Sequence, residues 1–165
     1  MQPMTTWNDV TSAAPDLAKL VQGRFEATGL GFLATLRKDG SPRITGIEPS
    51  FWNGDLWIGS MWEARKALDL RRDPRLALHA ASVDKEVKEG DARISGRAEE
   101  IVDEARKSAV GRAFAEVSEF DPDVHGPWHL FRIDITEVVL VQPGGEALAI
   151  TSWRPGEAPR RIERR

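Results

Sequence analysis

Two short turns constrain this sequence more than any other feature. Asn53-Gly54 stands between Phe51-Trp52 and Leu56-Trp57-Ile58-Gly59, and Asp39-Gly40 stands between Gly31–Arg37 and Pro42–Ile47. An Asn-Gly pair accepts the positive φ angles of a type I′ turn, whose twist matches that of two paired strands. Two hairpins in immediate succession commit the segment 31–59 to antiparallel pairing. The pattern continues downstream. Arg75–Ser82 and Asp91–Val102 read as strands, the latter alternating through Ile94 and Ala98. Phe131, Ile133 and Ile135 alternate in one parity and Val138 and Leu140 in the other, which predicts a long strand carrying a bulge. Leu148–Trp153 is the last expected strand. Hairpins in succession with few helices predict a mainly β, antiparallel, closed barrel rather than an alternating βαβ sheet.

Three helices interrupt the strands. Leu17, Leu20, Val21 and Phe25 recur at helical spacing over 15–28, with Asp16 near the start and Gly29 as the stop. Ser60-Met61-Trp62-Glu63 has the spacing of a capping box, ahead of a short helix through Ala64, Ala67, Leu68 and Arg71 that Asp73-Pro74 ends. Val110, Ala113, Phe114 and Val117 share a face behind Asp103. Residues 1–14 are expected to be flexible, and 84–90, 120–127, 143–145 and 155–159 to be loops or tail. At 165 residues with no long linker or repeat, one domain over 1–165 is expected, with 154–165 as a C-terminal segment.

Composition removes several function classes. The chain has no cysteine, which excludes disulfides, thiolate zinc sites, iron–sulfur clusters and Cys nucleophiles. With 23 Lys+Arg against 26 Asp+Glu the formal charge is −3, so no global field draws the chain to nucleic acid or to a membrane, and an anion site must be local. Neither a basic leader with an apolar core nor an 18-residue apolar stretch is present, and a cytoplasmic location is expected. Nucleotide-binding glycine loops, the G-x-S-x-G elbow and H-E-x-x-H are absent. There is no tyrosine and there are only three histidines, His79, His125 and His129, so side-chain acid–base chemistry is sparsely equipped.

The segment Gly59-Ser60-Met61-Trp62-Glu63-Ala64-Arg65-Lys66 puts a hydroxyl at a strand-to-helix junction and two adjacent cations in the first turn. Free backbone N–H groups, a donating hydroxyl, a guanidinium fork and a point charge together suit a phosphate. The competing reading is a capped helix with solvated charges.

The run Gly31-Phe32-Leu33-Ala34-Thr35-Leu36-Arg37-Lys38-Asp39-Gly40-Ser41-Pro42-Arg43, the Ser60…Arg65-Lys66 box and Leu70-Arg71-Arg72-Asp73-Pro74-Arg75 together resemble the pyridoxamine 5′-phosphate oxidase family. The resemblance implies a six-stranded FMN-binding split β-barrel with a few short flanking helices. It implies a homodimer with each cofactor across the subunit interface. It assigns Ser60, Arg65 and Lys66 to the cofactor phosphate, with Arg43 beside them, and adds Ile44, Thr45 and Ile58 as further cofactor contacts. From the C-terminal segment it implies that Trp153 and Arg164 reach the partner's cofactor. The six tryptophans suit either an interface or a core. The same tail departs from the true oxidase, whose Arg-x-His grips the substrate: Arg160-Arg161-Ile162 has no histidine. The related deazaflavin-dependent reductases share the barrel and phosphate box without that motif, so both FMN and coenzyme F420 stay open. The expectation is an oxidoreductase transferring hydride to or from a small molecule, and not pyridoxamine 5′-phosphate oxidation itself. The alternative is a non-catalytic protein that sequesters a flavin, haem or other phosphorylated ligand.

Asp121, Asp123, His125 and His129 lie close in sequence, but Asp121-Pro122 and Gly126-Pro127 mark a turn-rich loop, and no metal site is expected there. His79 falls on the strand face opposite Leu76, Leu78 and Ala80, as a structural histidine; the family's haem-binding relatives make a histidine axial ligand the minor alternative.

Overall fold

The computed structural model describes residues 2–81, 84–117 and 121–165. Its elements in chain order are α1 (Trp7–Ala13), α2 (Pro15–Glu26), β1 (Gly31–Leu36), β2 (Pro42–Ile47), β3 (Pro49–Trp52), β4 (Asp55–Met61), α3 (Arg65–Arg72), β5 (Arg75–Ala80), β6 (Asp91–Glu100), α4 (Glu104–Val117), α5 (Pro122–His125), β7 (Trp128–Gly144), β8 (Ala147–Trp153) and β9 (Arg160–Arg164). Every strand pairing is antiparallel. The path β2-β1-β5-β6-β7-β4 contains six strands, β3 extends its end, and β8 and β9 branch from β7. The mainly β, antiparallel split-barrel class is the observed one, and the described residues contain nine strands rather than six because of these additions.

Both hairpins form where the turn dipeptides place them. β1 pairs with β2 from Gly31↔Ile47 to Leu36↔Pro42, and β3 with β4 from Pro49↔Ile58 to Trp52↔Asp55. Asn53 and Gly54 have φ of 51° and 77°, the sign a type I′ turn requires. One core gathers Leu33 of β1, Leu56 and Ile58 of β4, Leu78 of β5, Ile94 of β6 and Ile133 of β7, so the sheet curls around a single interior. A smaller cluster, Trp57, Trp128, Val110 and Phe114 among it, forms where α4 covers the outside of β4 and β7.

The parity change in β7 is a bulge. Ser95 pairs with Glu137 and Gly96 with Ile135, leaving Thr136 without a partner on β6. The N-terminal segment clips onto this point: Thr5 N–H donates to Asp134 Oδ1 at 2.8 Å, and Ile135 N–H donates to Thr5 O at 3.0 Å. Gly96 faces the bulge so closely that a Cβ would lie 2.5 Å from Asp134 O and 2.8 Å from Ile133 Cγ2. Backbone on one side and a packed core residue on the other cannot both retreat. Gly96→Ala is therefore expected to cost about 2 kcal/mol, read as a lower urea midpoint with an unchanged slope.

Several local expectations are corrected. Residues 2–14 are not a loose leader: Thr6 and Asp9 form a reciprocal cap that starts α1, and Trp7 and Val10 are buried. That cap is T-x-x-D rather than the usual S/T-x-x-E/Q. Leu20 lies on the exposed side of α2, while Leu17, Val21 and Phe25 are buried. The C-terminal segment is not wholly tail, since β9 pairs with β8 from Leu148↔Arg164 to Ser152↔Arg160. Ser82, Phe120 and the side chain of Val117 lie outside the described residues. No helix among the described residues is long and apolar enough to cross a membrane.

Candidate functional site

The junction between β4 and α3 is built differently from a capping box. Ser60 pairs with His129 and Met61 with Trp128, so β4 stays extended through Met61. Ser60 is thus a buried strand residue, and its Oγ donates to Met61 O at 3.4 Å rather than to the helix. α3 begins at Arg65 behind Ala64, which provides no side-chain cap. The intervening turn holds Glu63 at a φ of 55°, a left-handed conformation that costs a non-glycine residue free energy.

Two cavities flank this junction. The first, about 380 Å³, lies between β2, β4, α3 and α4 and is largely apolar: Leu30, Ile47, Met61 and Phe114 line it together with Ser60, Glu48 and Lys66. The second, about 400 Å³, is cationic, with Arg37, Lys38, Arg43, Arg65 and Arg72 around Asp39 and Asp69. The first turn of α3 divides them, because Arg65 lines one and Lys66 the other. Between them on β2, Arg43, Thr45 and Ile47 alternate onto one face. Thr45 Oγ1 is buried there with no hydrogen-bond partner among the described residues.

The residues singled out in the sequence are accordingly divided. Ser60 and Lys66 share the apolar cavity, and Arg43 and Arg65 the cationic one. Ile44 points out of the opposite face of β2 and is 71% exposed. Ile58 is a core residue. Trp153 is also part of the chain's own core, with its indole N–H buried and without a hydrogen-bond partner among the described residues. Arg164 stands opposite Leu148, itself opposite Pro143 of β7, whereas Ser60 stands opposite His129. His129 and Pro143 are fourteen residues apart on β7.

The charges are organised by Asp69, which sequence reading passed over. Thr35 Oγ1 donates to it at 2.8 Å, Arg43 Nε at 2.7 Å and Arg72 Nη2 at 3.0 Å, all on a nearly inaccessible carboxylate. Burial pushes the Asp69 carboxyl up, but these hydrogen bonds outweigh it and hold the group below 3.8. Arg43 is oriented through Nε, leaving its terminal nitrogens for a ligand. Lys66 Nζ donates to Gly46 O at 3.0 Å; burial pushes its ammonium below 10.5, partly offset by the Glu48 carboxylate. The sequence signal for Asp69 was its place between Arg65 and Arg72 on one helix.

His129 is not a loop residue. It is a fully buried member of β7 with both ring nitrogens engaged: Nδ1 lies 2.7 Å from Glu100 Oε1, and Nε2 accepts from Glu63 N–H at 3.1 Å. His125 Nδ1 lies 2.7 Å from Asp121 O, and the Asp123 side chain is outside the described residues. His79 Nδ1 lies 2.7 Å from Ala80 O, beside its own strand.

This chain is similar in fold to several solved proteins. PhzG from Burkholderia lata 383, in complex with tetrahydrophenazine-1-carboxylic acid, is 14% identical, with 95% of this chain and 94% of that chain covered at a TM-score of 0.67. General Stress Protein 26 from Bacillus anthracis is 15% identical over 82% of this chain and 96% of its own, with a TM-score of 0.58. An F420 reductase is 17% identical over 65% and 86%, with a TM-score of 0.51. These likenesses establish the fold. No curated protein matches the chain. The family model described as pyridoxamine 5′-phosphate oxidase matches residues 17–142, a span that takes in both hairpins, both cavities and the whole of the Asp69 cluster, and the chain belongs to that family.

Proposed function

We propose that the chain is a homodimeric oxidoreductase that binds FMN or coenzyme F420 and transfers hydride to or from a small molecule. The observation that carries this reading is the pairing of an apolar cavity with a cationic one, joined along β2 by the unpartnered hydroxyl of Thr45. A flat ring, a polyol and a phosphate in series match that order of surfaces. On this reading Arg43 and Arg65 take the phosphate, Thr45 the linker, and Ser60 and Lys66 the edge of the ring. The cofactor supplies the hydride chemistry, and the protein supplies binding, orientation and a shielded cavity. The sparse set of acid–base side chains is consistent with that division. Support for pairing comes from the outer face of β1 and β2, where exposed Phe32 and Ile44 stand over Gly46 and Ala34, an apolar surface suited to a second copy.

Titration with FMN and F420 in parallel, with sedimentation velocity on the same samples, tests the reading. One of the two is expected to bind to a dimer, and the loaded protein to exchange hydride with a nicotinamide or a small acceptor without oxidising pyridoxamine 5′-phosphate. Binding of neither, or binding by a monomer, overturns it. A bound cofactor that is neither reduced nor reoxidised by any partner favours a sequestering role.

A further inference from the structure

His129 lines neither cavity, yet several of its contacts reach the turn and helix that shape them. Its ring stacks on Trp62 at 4.6 Å between centroids and 3° between planes. Its Nε2 accepts the Glu63 N–H, the amide of the one turn residue held in the left-handed region. Its Nδ1–H donates to Glu100 Oε1, and the other oxygen of Glu100 forms an ion pair with Arg71 Nε of α3, 2.9 Å away. One buried ring therefore grips the turn 61–64 directly and α3 through Glu100. Between those two grips lie Arg65 and Lys66.

We propose that His129 is a positioning residue for the proposed cofactor site: by accepting at Nε2 it holds the turn 61–64 and so sets where Arg65 and Lys66 stand. This inference rests on the cofactor reading for its purpose but not for its geometry. A left-handed glutamate persists only where its surroundings over-determine it. Here the restraint is a hydrogen bond to a fully buried ring whose tautomer is fixed by a carboxylate on its other side. A purely structural histidine would matter through its volume and its bond to Glu100. A positioning histidine matters through its acceptor at the ε position.

Two substitutions separate these roles. Gln carries an oxygen at the ε position and preserves an acceptor for Glu63 N–H, whereas Asn reaches only the δ position and preserves a donor for Glu100. Both are expected to lower thermal stability to a similar degree. Amide hydrogen exchange in the cofactor-free protein is expected to stay slow at Glu63 and in the first turn of α3 in His129→Gln, and to quicken at least tenfold in His129→Asn. The FMN or F420 dissociation constant, whichever the wild type binds, is expected to rise about tenfold in His129→Asn and less than threefold in His129→Gln. Equal exchange in the two variants, or no change in either, overturns the proposal. If the wild type binds neither cofactor, the functional reading falls, while the exchange pattern still decides whether His129 holds the turn.

Discussion

Asp69→Ala is expected to lower the unfolding midpoint by about 6–12 °C, from a loss of about 3 kcal/mol. The carboxylate is 3% exposed and receives three hydrogen bonds, two of them from guanidinium groups. Removing it leaves Thr35, itself 2% exposed, with an unpaired hydroxyl. It also leaves Arg43 and Arg72 facing each other, in a cavity where Arg37, Lys38 and Arg65 keep only Asp39 as a carboxylate. The loss falls at the lower end for a broken buried pair because both arginines retain some access to water. Asp69→Asn isolates the charge, since it keeps the shape and can still accept from Thr35. The pH dependence follows from the direction of the shift. A carboxyl held below its ordinary value stabilises the fold fully above the unfolded value of about 3.9, and the contribution fades as pH falls through the lower folded value. The gap between wild type and Asp69→Asn should thus be full at neutral pH and begin to narrow below about pH 4, measured by thermal unfolding across the range. A gap that does not change with pH would mean that the amide and the carboxylate are held alike.

Local sequence signals settled the hairpins because a two-residue turn needs particular φ angles and few dipeptides supply them. The bulge in β7 was legible for a similar reason: a change of parity between Ile135 and Val138 leaves one residue too many for a two-residue repeat, and Thr136 is that residue. The start of α3 was misread because Ser60 and Glu63 have the spacing of a cap. What overrides the local pattern is tertiary, since pairing of Ser60 with His129 and Met61 with Trp128 keeps the backbone extended past the point where a cap would turn it. The same long-range pairing hid the role of His129, which sequence distance grouped with His125 and Asp121.

The site was legible in its charges and not in its partition. Arg43, Arg65 and Lys66 were found as cations near one another, but adjacency on a helix does not mean convergence. Residues 65 and 66 are about 100° apart around the axis, and here that angle sends them to different cavities. Trp153 poses the complementary problem: an aromatic residue at the end of a strand reads equally well as an interface or a core residue, and in this chain it packs into the interior.

That partition leads to the second large effect, a difference between neighbouring substitutions. Arg65→Ala is expected to weaken FMN binding about ten- to a hundredfold, the value of one charge-assisted contact of about 1.5–3 kcal/mol, while leaving the affinity for phosphate-free riboflavin unchanged. Arg65 is exposed and no carboxylate pairs with it among the described residues, so its removal strands nothing and should spare the fold. Lys66→Ala is expected to weaken both ligands by a similar factor, because Lys66 lines the apolar cavity with Ser60 and Phe114. Its ammonium adds a pH signature. Burial favours the neutral amine and Glu48 opposes that only in part, so the ammonium loses its proton below 10.5. Whatever Lys66 contributes is present at neutral pH and is lost as pH rises through that lowered value, a decline that Lys66→Ala should lack. If F420 is the cofactor bound, the same pair of measurements applies to F420 and its phosphate-free form. Isothermal titration of wild type and both variants with each ligand, six combinations repeated at rising pH, checks all of this. A riboflavin affinity that falls with Arg65→Ala as steeply as the FMN affinity would place the ring rather than the phosphate in the cationic cavity and reverse the assignment.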